Sequence, residues 1–143
     1  MTTSADGPRP ILEGLLTEPL SDLGKVHVCG SRCGACGETS LGAKDICPNC
    51  GGSDVKHIAL SDDGVLWTYT VVRHKPPGNY YGPDPFKPFG LGLVELPDGL
   101  RVMAPLDGEP DSFSIGMALR LRPYVLRTDD QGRDVIAFSY SPA

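Results

Sequence analysis

The chain has 143 residues and a mass of 15.2 kDa, which suits one domain with a small satellite. Its 18 glycines and 14 prolines favour turns and short strands over a helical bundle, and a 40% hydrophobic fraction allows only a modest core. The formal net charge is −5, with 5 basic against 9 acidic side chains over 1–63 and 8 of each over 73–133, so neither half reads as a phosphate-binding surface. No apolar run approaches the roughly 18 residues of a membrane-spanning helix.

Residues 1–10 are polar, with two prolines, and predict a loose arm. In 11–24, Ile11, Leu12, Leu15 and Leu16 have helix-like spacing, interrupted by Gly14 and Pro19. One short N-terminal helical segment is expected there. The opening MTTSADGPRPILEG lacks a basic start followed by an apolar stretch, so no secretory signal is expected and the cytoplasm is the expected location.

All five cysteines fall between 29 and 50. Such clustering points to metal binding in a reducing compartment rather than a disulfide framework. Cys33-Gly-Ala-Cys36-Gly and Cys47-Pro-Asn-Cys50-Gly are two matching knuckles. Each can wrap a metal in a tight turn, and the following glycine permits the positive φ such a turn needs. Cys33, Cys36, Cys47 and Cys50 therefore make a closed four-thiolate shell for a structural Zn²⁺, with no open position for catalysis. An iron site is the minor chemical alternative; a redox dithiol would need a thioredoxin-like context that is absent. Cys29 is left over and reads as a spare, partly buried thiol rather than a nucleophile.

From residue 55 the character changes to strands and turns. VKHIAL (55–60) and VLWTYTVVRH (65–74) are strand-like, the latter dense in β-branched and aromatic residues. FGLGLVEL (89–96) and LRVMAPL (100–106) flank a Pro97-Asp98-Gly99 hairpin turn. MALRLRPYVLR (117–127) alternates Leu119 and Leu121 with Arg120 and Arg122, and RDVIAFSY (133–140) puts Ile136, Phe138 and Tyr140 on one face. Five strands after residue 64 suggest a small barrel, of which the oligonucleotide/oligosaccharide-binding (OB) type is the commonest and an SH3-like barrel the alternative. The chain is thus mainly β, with an arm and short helix over 1–26, a zinc ribbon over 27–56 and a five-stranded barrel over 57–143.

Between the first two barrel strands lies KPPGNYYGPDPFKPFG (75–90), too rich in proline and glycine for regular structure. Arg73, His74, Lys75 and Lys87 could pair with phosphates, while Tyr80, Tyr81 and Phe86 could stack on a base. Contact with a partner protein is the competing reading of the same loop. No nucleophile-elbow, phosphate-loop or zincin motif occurs.

The knuckles sit in Gly30-Ser31-Arg32-Cys33 and Cys47-Pro48-Asn49-Cys50, followed by Gly64-Val65-Leu66-Trp67-Thr68-Tyr69-Thr70, Val94-Glu95-Leu96 and Ile115-Gly116-Met117. In that order, over about 27–140, the chain resembles the zinc-ribbon/OB-fold proteins associated with acyl-CoA metabolism, and the resemblance implies their fold: an N-terminal helical segment, a rubredoxin-like zinc ribbon and an OB barrel. The Pro-Pro-Gly segment at 76–83 looks most like small subunits of benzoylsuccinyl-CoA-type thiolases. The resemblance implies a non-catalytic accessory subunit of a thiolase-superfamily enzyme, thiolytic or retro-aldol, acting on aromatic or steroid side-chain thioesters. It implies a hetro-oligomer of α2β2 type, with coenzyme A (CoA) or an acyl-CoA as a ligand of the complex and the reactive residues in the partner. The alternative is a module for single-stranded nucleic acid, which would need Arg101, Arg120, Arg122, Arg127 and Arg133 to cluster in space.

Overall fold

A computed structural model describes residues 7–143. Its strands are β1 (Arg9–Pro10), β2 (Cys29–Cys33), β3 (Thr39–Leu41), β4 (Val55–Ala59), β5 (Asp63–Val72), β6 (Phe89–Glu95), β7 (Arg101–Leu106), β8 (Ala118–Thr128) and β9 (Asp134–Pro142). A small antiparallel sheet in the order β3-β2-β4 carries the cysteine knuckles. The second sheet runs β1-β9-β7-β6-β5-β8, and β8 pairs again with β9, which closes β5 to β9 into a barrel. Because β9 inserts between β7 and β8, the barrel is a Greek key of the OB type. An SH3-like barrel would keep β7 beside β8.

Burial alternates with period two along β7 and over the starts of β5 and β8, whereas β9 is buried on both faces from Val135 to Tyr140. Leu66, Val102, Leu119, Ile136 and Tyr140 are all buried at 1% exposure or less. β6 inverts the rule. Gly90, Gly92 and Val94 point inward, and Phe89, Leu91 and Leu93 point outward. The inward glycines make room for neighbours: a Cβ on Gly90 would lie 2.4 Å from Phe113 Cε2, and one on Gly92 2.9 Å from Leu66 Cδ1.

The expected N-terminal helix does not form; the only helical turn among the described residues near it is a 3-10 turn at Leu23–Lys25. Gly14 takes φ 79° and its carbonyl accepts from Ala43 N, while Pro19 has no N–H to donate. The backbone instead pairs across to 27–29: Thr17 N donates to His27 O at 2.9 Å and Cys29 N to Leu15 O at 2.7 Å. Leu16 and Leu20 are buried from this irregular strap, so their spacing reflects packing and not a helix. Part of the expected loose arm, 1–6, lies outside the described residues. Arg9 and Pro10 pair in parallel with Val135 and Ile136 of β9, an edge position that tolerates proline. Arg9 Nε donates to Asp129 Oδ2 at 2.8 Å and fixes this strand to the β8–β9 turn.

Candidate metal centre and ligand groove

The two knuckles close on each other. Gly37 and Gly51 have φ of 79° and 75°, and each returns its N–H to the carbonyl of the first cysteine, Cys33 or Cys47, at 2.9 Å. The four sulfurs lie within 4.8 Å of one another. Cys33 and Cys50 approach to 3.6 Å, and Cys36 and Cys47 to 3.7 Å. A tetrahedron of Zn–S bonds of about 2.3 Å has edges of about 3.8 Å, so the donor set and its spacing fit a zinc ion. Asn49 Nδ2 lies 3.6 Å from Cys36 Sγ, close enough to donate to it. The Glu38 backbone and Asn49 hold the Cys36 thiol down to about 6. The Gly52 backbone pulls Cys50 down, but the other three sulfurs outweigh it and push Cys50 up to about 11. Cys29 is buried in β2, outside this group, and burial raises its pKa.

A groove of about 850 Å³ crosses the outer side of the barrel between the 79–89 segment, the strap and β7, β8 and β9. Tyr80, Tyr81 and Lys87 line it. Phe86 packs in an aromatic cluster with Tyr80 and Phe89, at ring separations of 5.7 and 6.3 Å. Arg73, His74 and Lys75 follow the end of β5, are exposed, and do not line the groove. Sequence reasoning missed the groove's far wall. Arg122 stacks on Tyr124 at 4.7 Å, and Arg127 on Tyr81 at 4.6 Å, which ties the loop to β8. Asp107 accepts from Arg122 Nη2 at 2.9 Å, from Arg122 Nε and from Ser139 Oγ at 3.0 Å. Partial burial pushes the Asp107 carboxyl up, but the bonds from Arg122, Ser141 and Ser139 win and leave it below its ordinary value. The one signal in the sequence was the outward position of Arg122 on an alternating strand.

Arg101 pairs with Glu95, Arg120 with Asp63 and Arg122 with Asp107, while Arg133 donates to the Gly7 carbonyl. This arrangement leaves little free positive charge for a nucleic-acid backbone. No helix among the described residues is long and apolar enough to cross a membrane.

Residues 57–122 match the family described as ChsH2, C-terminal OB-fold domain. A DUF35 domain-containing scaffold protein of Pyrococcus furiosus is 31% identical over 120 residues, covering 82% of this chain and 85% of that one. The chain belongs to the DUF35-domain family. Another relative of this DUF35 protein is the benzoylsuccinyl-CoA thiolase subunit BbsA of Thauera aromatica, 28% identical, with 87% of this chain and 83% of that one covered. Among solved structures, a chain of the Ltp2-ChsH2(DUF35) aldolase superposes with a TM-score of 0.60 at 28% identity, covering 81% of the DUF35 chain described here and 84% of its counterpart.

Proposed function

We propose that this DUF35 protein is a non-catalytic accessory subunit of a thiolase-type acyl-CoA enzyme. The observation that carries the reading is the groove: it is roomy and aromatic, it has Lys87 and Arg122 at its walls, and no Cys, His, Ser or Thr is among its lining residues. Such a surface can hold a long, partly charged ligand but offers no thiol, aliphatic hydroxyl or imidazole to a thioester. The likeness to a thiolase subunit and to an aldolase component, over more than four-fifths of this chain, supports a catalytic partner that supplies the reacting groups.

In this reading Cys33, Cys36, Cys47 and Cys50 hold a structural Zn²⁺ that pins the ribbon. The groove takes the nucleotide end of CoA: Tyr80 and Tyr81 stack on the base, while Lys87 and the neighbouring Arg127 meet phosphate. Arg73, His74 and Lys75 contribute at the loop's outer rim, toward ligand or partner. The complex contains two copies of each chain, and its substrate is an aromatic or steroid side-chain thioester of the benzoylsuccinyl-CoA kind. Titration calorimetry of CoA into the purified complex tests the groove. Binding that weakens about tenfold or more in Tyr81→Ala is expected; identical affinity in the variant would move the CoA site elsewhere.

A further inference from the structure

One residue of β9 has main-chain groups without a neighbour. Along a strand these groups point alternately to its two edges. Ile136 O accepts from Ile11 N at 2.8 Å on the edge toward β1, and Tyr140 O accepts from Asp107 N at 2.9 Å on the edge toward β7. Phe138 lies two residues from each, so its N–H and C=O point to that same edge. Ala137 and Ser139 turn theirs the other way, toward Tyr124 and Arg122 of β8. The pairing with β1 covers Val135 and Ile136, and the pairing with β7 is the single pair of Leu106 with Tyr140. Between the two, neither main-chain group of Phe138 has a hydrogen-bond partner among the described residues.

Pro105 is the cause on one flank. Extending the parallel ladder of β7 and β9 by one step would bring the N–H of residue 105 to Phe138 O, and proline has none. On the other flank the strap turns away after Ile11, with Leu15 N donating to Leu12 O at 3.2 Å. What remains is a notch of at most about 13 Å, the length of strand from Ile136 to Tyr140 at about 3.3 Å per residue. Ile11, Leu106, Asp107, Ala137 and Phe138 all line the groove, so the notch opens into it. The Phe138 ring packs in the core, 6.0 Å from the Tyr140 ring. The next side chain along, on the opposite face of β9, is only the methyl of Ala137, which leaves the main chain approachable.

We infer that this notch reads the adenine ring of the CoA nucleotide through the main chain of Phe138, an assignment that rests on the groove reading above. Adenine sets an exocyclic amine beside an unprotonated ring nitrogen on one edge. The amine donates to Phe138 O, and Phe138 N–H donates to the ring nitrogen. The ring faces stay open to Tyr80 and Tyr81, which line the same groove. The main chain of a partner protein offers the same donor and acceptor, but it fits worse. An added strand bonds at every second residue of the edge it joins. Here the next positions on either side, Ile136 and Tyr140, are already held by Ile11 and Asp107. A strand therefore bonds to Phe138 alone and runs into both flanking chains, whereas a ring edge fills the notch and ends there.

The test uses the zinc-loaded full chain, alone and with a thiolase-type catalytic subunit from the same source. Hydrogen exchange is resolved to single amides by electron-transfer fragmentation, and calorimetry measures affinity. In the free chain the Phe138 N–H should exchange about tenfold or more faster than those of Ala137 and Ser139, and saturating CoA should slow it by about tenfold or more. Two CoA analogues probe the ring edge: a desamino form that lacks only the amine, and 1,N6-etheno-CoA, in which a third ring caps both the amine and the adjacent nitrogen. Each should bind about tenfold or more weakly than CoA, because a main-chain group is left unpaired. Tyr81→Ala should weaken all three by a similar factor. CoA that binds in a Tyr81-dependent way without slowing Phe138, or a desamino form that binds as tightly as CoA, overturns the adenine assignment and leaves the groove reading standing. A Phe138 N–H already protected in the free chain overturns it as well. Protection that appears on adding the catalytic subunit without CoA assigns the notch to a partner's main chain and likewise overturns it. If CoA binds neither the chain nor the complex, the groove reading fails and the adenine assignment falls with it.

Discussion

Replacing Gly90 by alanine tests why β6 carries its small residues inward. The new Cβ would stand 2.4 Å from Phe113 Cε2 and 3.1 Å from Cδ2 and Cζ of the same ring. Comfortable carbon contacts begin near 3.5 Å, so the ring must move by about 1 Å. It has little freedom to do so. Phe113 is buried, its ring meets Tyr69 edge-on at 5.7 Å, and Tyr69 Oη donates to the Phe113 carbonyl at 3.3 Å. Overpacking of this kind costs about 1–3 kcal/mol. The lost backbone freedom of the unfolded chain returns about 0.5–1 kcal/mol to the alanine variant. The net loss of about 1–2 kcal/mol corresponds to a fall in Tm of about 3–8 °C for a chain of this size. Thermal melts of the zinc-loaded protein followed by circular dichroism measure it. Phe113→Leu in the same chain removes the clashing ring edge, and the pair should couple by about 1 kcal/mol, as touching residues do. A Gly90→Ala variant that melts with the wild type, or a double variant whose losses simply add, would refute the packing argument.

Three further outcomes follow from the same structure. Cys33→Ser or Cys50→Ser should abolish stoichiometric zinc and unfold the ribbon, whereas Cys29→Ser, outside the sulfur cage, should keep full metal by plasma emission and lower Tm only slightly. Arg127→Ala should free the 79–88 loop by removing its stack on Tyr81, which limited proteolysis detects as faster cleavage there with the barrel intact. Asp129 is held down to about 2, first by the Arg9 hydrogen bond and then by the Arg133 and Gln131 backbone N–H groups. A carboxylate with a depressed folded pKa stabilises fully above its unfolded value, near 3.8, and the contribution is lost as pH falls through about 2. Urea midpoints for wild type and Asp129→Asn should therefore differ at neutral pH and converge toward pH 2.

The barrel was legible because its strands declare their faces. Leu119 and Leu121 are buried and alternate with exposed arginines, and Ile136, Phe138 and Tyr140 share one buried face, although Val135, Ala137 and Ser139 on the other face of β9 are buried as well. The knuckles were legible because two Cys-x-x-Cys-Gly turns need little context to be recognised. The N-terminal strap was not. Its leucines have helical spacing, yet they are buried by pairing with 27–29, a partnership between segments that no local pattern reveals. Nor could alternation show that β6 is inside out, since glycine at 90 and 92 marks the inward face only once Phe113 and Leu66 are known to fill it. The groove's far wall escaped for the same reason: Asp107 lies in a polar connection, and only the fold brings it to Arg122 and Ser139. The aromatic loop announced itself by composition, but composition could not separate Tyr80, Tyr81 and Lys87, which line the groove, from Arg73, His74 and Lys75, which do not.

The most direct test compares acyl-CoA cleavage by three purified samples: this chain, a thiolase-type catalytic subunit from the same source, and the two combined. The account predicts no turnover by the small chain, little by the catalytic subunit, and full activity on recombination in equal amounts. Turnover by the zinc-loaded chain on its own, or a catalytic subunit equally active without it, would contradict the account.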